Sequence, residues 1–217
     1  MKKIGVLFSG CGVYDGVEIQ EAVIILLSLD RNGAEAVCMA PDIEQYHVVN
    51  HLNENVSDEK RNVLVESARV VRGNIKDIKT VNAADLDGLV LPGGFGAAKN
   101  LTNFAFKGKD ADINPDVARI VRAMADAGKP IGAICIAPAI LTRILEDKNP
   151  EVTIGNDLGT IETIQDIGGI HHVCSVNQIH IDRVNNIITT PAYMLGPGIK
   201  EVAAGIEKLV AAVLAAA

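Results

Sequence analysis

The 217-residue sequence contains no basic cluster, and its net charge at pH 7 is −7. Binding to nucleic acid or an anionic membrane needs concentrated Lys and Arg, so a small-molecule or protein partner is expected. Cysteine is scarce. The four, at positions 11, 38, 135 and 174, have neither zinc-finger spacing nor the density of a secreted disulfide scaffold, and no Cys-x-x-Cys pair supports dithiol chemistry. A reducing cytoplasm is expected. The histidines, His47, His51, His171, His172 and His180, lack metal-ligand spacing, so surface or structural roles and no metal are expected. No Pro-, Ser- or Gly-rich spacer, low-complexity tract or solenoid period divides the chain. One domain over residues 1–217 is expected, with a polar insertion at about 42–81. The apolar run after Met1-Lys2-Lys3 is too short for a signal peptide and breaks at Ser9-Gly10-Cys11-Gly12.

What is present is an alternation of strands and helices. Lys3 to Phe8 reads as a strand, Glu18 to Asp30 as a helix closed by Gly33, and Ala36 to Ala40 as a second strand ended by Pro41. A β-α-β start implies a parallel sheet. One helix is predicted inside the insertion, over Ser57 to Val71, with Val63, Leu64, Ala68 and Val71 facing the core. Leu86 to Leu91 is a strand, Asn114-Pro115 caps a helix that Gly128 closes, and Gln178 to Asp182 pairs with Ile187 to Thr190 in an edge hairpin. Gly198 to Ala217 forms a last, Ala-rich helix.

The stretch Pro130-Ile131-Gly132-Ala133-Ile134-Cys135-Ile136-Ala137-Pro138-Ala139 carries the chemistry. An apolar strand turns at a single cysteine into a helix, with small residues on both sides, as a nucleophile elbow requires. The helix dipole is expected to favour the thiolate of Cys135; a buried, inert core cysteine is the plainer alternative. Upstream, Pro92-Gly93-Gly94-Phe95-Gly96 ends another strand in glycines. The amides of Gly94 and Ile136 form a candidate oxyanion hole. Glu18 and Glu21 open the first helix near the carboxyl ends of the strands and are both candidate acid-base partners of the cysteine, or simply favourable charges at a helix start. In the loop Gly10 to Gly16 the third glycine is one position too far for a dinucleotide fingerprint, so no nucleotide cofactor is expected.

Leu91-Pro92-Gly93-Gly94, Ala133-Ile134-Cys135 and the early glutamates together resemble the PfpI-like superfamily. Ser9 to Gly16, Asn62-Val63-Leu64, Gly93 to Leu101, Cys135 to Ala139 and Thr189 to Leu195 are similar to its ElbB-type branch, known as isoprenoid biosynthesis proteins with an amidotransferase-like domain. The resemblance implies an α/β three-layer sandwich with a mainly parallel, flavodoxin-like central sheet of the class I glutamine amidotransferase type. It implies that Cys135 is the nucleophile, that Glu18 or Glu21 is its partner, and that Gly93, Cys11 and Tyr193 line the pocket. It implies a glyoxalase-type enzyme without cofactor, acting on glyoxal or a similar dicarbonyl, and a homodimer. A redox or carbonyl sensor, or a partner-dependent amidotransferase-like protein linked to isoprenoid metabolism, is the alternative. Ile136 stands where protease-like members carry histidine, and no late histidine-acid pair suits a glutaminase, so peptidase and glutaminase activities are not expected.

Overall fold

The computed structural model describes residues 1–217. Its centre is a seven-stranded sheet built from β1 (Lys3–Leu7), β2 (Glu35–Ala40), β3 (Lys76–Asp77), β4 (Gly88–Leu91), β5 (Ile131–Ile134), β6 (His180–Asp182) and β7 (Ile187–Thr190). The spatial order is β6-β7-β5-β4-β1-β2-β3. Every pair is parallel except the edge hairpin β6–β7, where His180 faces Thr189 and Asp182 faces Ile187. Inner strands buried on both faces read as continuous apolar runs, as the fully buried β4 and β5 do.

Helices cover both faces. On one side α1 (Ile19–Arg31), α2 (Val63–Val70) and the terminal helix α8 (Ile199–Ala216) bury Ile25, Leu29, Val63, Ile206 and Leu209 against Ile4, Val6, Val90 and Ile188. On the other, α3 (Phe95–Lys99), α5 (Pro115–Asp126), α6 (Ala137–Ile144) and α7 (Leu158–Ile167), with the one-turn α4 (Phe104–Lys107) between them, bury Ala97, Ile120, Met124, Ile140 and Ile164 against Leu7, Leu89, Leu91 and Ile131. Leu89 and Leu91 thus point one way and Val90 the other, the two-residue period of a strand between two apolar layers. Each such fully buried aliphatic side chain contributes about 1.5–3 kcal/mol. No helix is long and apolar enough to cross a membrane.

The structure corrects the reading of the insertion. The helix predicted over Ser57 to Val71 begins only at Val63, because Asn62 caps it by accepting from Val65 N–H. Ser57 instead pairs with Val48 in a short antiparallel ladder, Val48–Val49 with Val56–Ser57. The insertion braces the loop after β1: Val49 N–H donates to Asp15 Oδ2 at 2.7 Å, and Gly10 N–H donates to Ser67 Oγ at 2.9 Å. Two elements have no counterpart in the sequence reading. One is α7; the other is a parallel pair, Glu151–Val152 with Ile170–His171.

Candidate active site

The chain runs from β1 outward through β2 and β3, then returns to place β4 on the other side of β1. Ligands in open α/β sheets bind at the carboxyl ends of strands, where the order reverses. Four segments meet there: the loop and first turn of α1 after β1, Pro92-Gly93-Gly94 after β4, Cys135 after β5, and Pro191 to Leu195 after β7. Cys135 is the elbow residue. Its φ of +62° is unusual for a residue with a side chain, and its N–H donates to Thr190 O at 3.1 Å. Ala133 and Ala137, fully buried, leave room for the bend. Ile136 caps α6.

Glycine is required behind the sulfur. A Cβ at Gly93 would lie 2.4 Å from Cys135 Cβ, 3.0 Å from its Sγ and 2.8 Å from Glu21 Oε2. Gly94, at φ +96°, would drive a Cβ to 2.4 Å from Glu18 N and Gly16 O. The two glutamates diverge in role. Glu18 caps α1, its Oε2 accepting from Glu21 N–H at 2.7 Å. Glu21 is fully buried, accepts from Gly93 N–H at 2.9 Å and from Tyr193 N–H at 3.4 Å, and hydrogen-bonds to Cys135.

This burial controls the proton. Loss of hydration first, then the charge of Glu18, raises Glu21 from 4.5 to about 8, against the opposing bonds from Gly93, Tyr193 and Cys135. Burial also pushes the Cys135 thiol well above its ordinary 9.0, helped by the Glu21 charge, while the amides of Gly94 and Ile136 pull it back. The expectation of a solvent-presented thiolate is therefore corrected. Cys135 is 8% exposed, and desolvation outweighs the helix terminus. When Glu21 is protonated its repulsion vanishes, so the acid and the thiol hold their protons as a coupled pair.

In front of the sulfur lies a cavity of about 360 Å³ lined by Val13, Glu18, Gly94, Phe95, Cys135, Ile136, Asp157, Thr160, Tyr193 and Met194. Gly94, Ile136, Glu18 and Tyr193 thus reach it as expected from the sequence. Gly93 backs the sulfur instead of forming wall. Cys11 does not line it: the insertion draws that part of the loop toward α2, where burial and then Glu66 raise the thiol and Arg69 and Arg61 oppose them. Sequence reasoning missed Asp157 and Thr160. Their signal was a helix start, since Asp157 Oδ1 accepts from Thr160 N–H at 2.8 Å and Gly168 ends the same helix in the left-handed conformation.

A mainly parallel sheet with helices on both faces and a cysteine elbow at its switch point defines the class I glutamine amidotransferase-like proteins. Within that class the chain belongs to the DJ-1/PfpI family, whose family model matches residues 11–153. It is 44% identical over 222 residues to human glutamine amidotransferase-like class 1 domain-containing protein 3, mitochondrial, covering 98% of this chain and 82% of that protein. Similarity to the rat ES1 protein homolog, mitochondrial, is 42% over 222 residues, covering 98% and 83%. Among solved structures, an isoprenoid biosynthesis protein with amidotransferase-like domain from Ehrlichia chaffeensis superposes with a TM-score of 0.93 at 38% identity, over 99% of each chain. Glyoxalase III from Candida albicans shares the fold, with a TM-score of 0.64 at 16% identity over 99% of this chain and 97% of that one. The names of the mammalian relatives overturn the expectation of a cytoplasmic protein. Four free cysteines report a reducing compartment and do not distinguish one from another.

Proposed function

We propose that the protein is a glyoxalase-type enzyme that converts a small reactive dicarbonyl to a hydroxy acid. The observation that supports this reading is the Glu21 carboxyl, raised to about 8 and hydrogen-bonded to Cys135 beside a half-apolar cavity. A carboxyl whose pKa lies near neutrality can both take and return a proton. The Cys135 sulfur adds to one aldehyde carbon while the thiol proton passes to the carbonyl oxygen, giving a hemithioacetal. Ionised Glu21 then takes the proton from that carbon and returns it to the neighbouring carbon. One carbon is oxidised and the other reduced within the same molecule, leaving a thioester of the hydroxy acid. Water cleaves the thioester, releasing the acid and restoring the thiol. The Gly94 and Ile136 amides, already turned toward the sulfur, would stabilise the oxyanions of addition and hydrolysis.

The test is product analysis with glyoxal and methylglyoxal. Cys135→Ser is expected to abolish hydroxy acid formation, Glu21→Gln to lower kcat about 10²- to 10⁴-fold, and Glu18→Gln to act much less, because an amide oxygen still caps α1. Equal rates for wild type and Cys135→Ser would end this reading. A second reading, a sensor whose cysteine is oxidised to sulfinate, is favoured by the same Glu21 and amide donors around one sulfur. Mass spectrometry after graded peroxide decides it: selective, stable sulfinate at Cys135 supports the sensor, and an unmodified thiol removes it.

A further inference from the structure

The proposed chemistry leaves one side-chain cluster unused. Glu151 in the strand Glu151–Val152, His172 just after Ile170–His171, and His180 at the start of β6 bring one ligand atom each to within 4.8 Å of the others. His172 Nε2 lies 3.0 Å and His180 Nε2 3.1 Å from the same oxygen, Glu151 Oε2. Two donors about 2.1 Å from a common metal ion, at angles between tetrahedral and right, are about 3.0–3.4 Å apart. The nitrogen-oxygen separations match those of neighbouring ligands. The imidazoles stack at 4.0 Å with 11° between their planes, and a turn of the more exposed His172 ring brings its lone pair toward the shared point. His172 Nε2 is buried and has no hydrogen-bond partner, an orphaned donor or acceptor that an ion would satisfy.

The backbone beneath the three side chains is pinned independently of them. His172 N–H donates to Val152 O at 2.8 Å, and Val152 faces His171 in the parallel pair. Glu151 N–H donates at 2.9 Å to Asp182 Oδ2, two residues beyond His180 on the same strand. Asp182, 1% exposed, also accepts from Val184 and Asn185. Donors fixed in this way need little reorganisation on binding. Side-chain exposures of 42%, 20% and 39% for His172, His180 and Glu151 leave a path from solvent. None of the three lines the Cys135 cavity.

We propose that Glu151, His172 and His180 form a binding site for a divalent first-row transition metal, with solvent completing the coordination. Two imidazole nitrogens and one carboxylate suit zinc and its neighbours; magnesium and calcium prefer all-oxygen sites. Bound there, the ion joins the Glu151–His171 strand pair to the edge of the central sheet.

The test is calorimetric titration with Zn²⁺ of the full chain carrying Cys135→Ser, which removes the elbow thiol as a competing ligand, at about pH 7.5 where imidazole is neutral. One equivalent is expected to bind, with at least about tenfold weaker affinity after His172→Ala or Glu151→Gln, and Mg²⁺ is expected to give no saturable heat. The partly exposed positions of both residues keep these variants folded, which circular dichroism checks. Failure of the Cys135→Ser chain to bind zinc stoichiometrically, or unchanged affinity in both variants, overturns the proposal. Co²⁺ loading supplies a second readout: a sulfur-to-cobalt charge-transfer band assigns the ion to a cysteine and also overturns it.

Discussion

Glu21 shows how one buried carboxyl links stability to chemistry. Its folded-state value of about 8 stands against an ordinary 4.5. Between those values the folded chain keeps a proton that the unfolded chain has released, so stability falls as pH rises through this window and levels off above it. Urea midpoints of the wild type are expected to fall from about pH 5 to about pH 8, and Glu21→Gln to flatten that slope. Proton abstraction needs the ionised form, so dicarbonyl turnover is expected to rise over the same interval. Cys135 was legible in the sequence because an elbow imposes small neighbours and a strand-helix junction. The choice between Glu18 and Glu21 was not. Three residues apart on a helix they point in nearby directions, and only the tertiary position of Gly93 decides which meets the sulfur and which caps the helix.

At the scale of elements, local signals succeeded where they were complete. The Asn114-Pro115 start is observed, Asn114 Oδ1 accepting from Asp116 and Val117 N–H. In the insertion, periodic apolar residues extended the predicted helix backward past Asn62, since periodicity does not see a cap whose flank pairs as strand. The cap of α7 joins element to site. Asp157→Ala is expected to lower stability by about 1 kcal/mol and Asp157→Asn to restore it, read as shifts in Tm. The alanine variant also removes a charge from the cavity wall, so its KM for dicarbonyls is expected to change more than its kcat.

At the scale of the whole molecule, the alternation of strands and helices fixed the architecture, while contacts between distant segments stayed hidden. Glu151, His172 and His180 share no local spacing and meet only through the pairing at the sheet edge. The cavity likewise takes its walls from four separate loops, and Val13, Phe95, Ile136 and Met194 make it more apolar than glyoxal requires. With its volume of about 360 Å³, phenylglyoxal is expected to show a higher kcat/KM than glyoxal; equal values would mean that the apolar wall does not contact substrate.

The two ends of the central sheet have one more consequence. β3 has two residues, one of them Lys76, and β6 has three, with Asp182 turned inward. Neither border offers an incoming strand a template longer than three residues, and a charge stands at each. Short, charged borders of this kind oppose the end-on growth of sheets into fibrils, so this protein is built to stay dispersed at high concentration even though its interior strands are among the most β-prone segments of the chain.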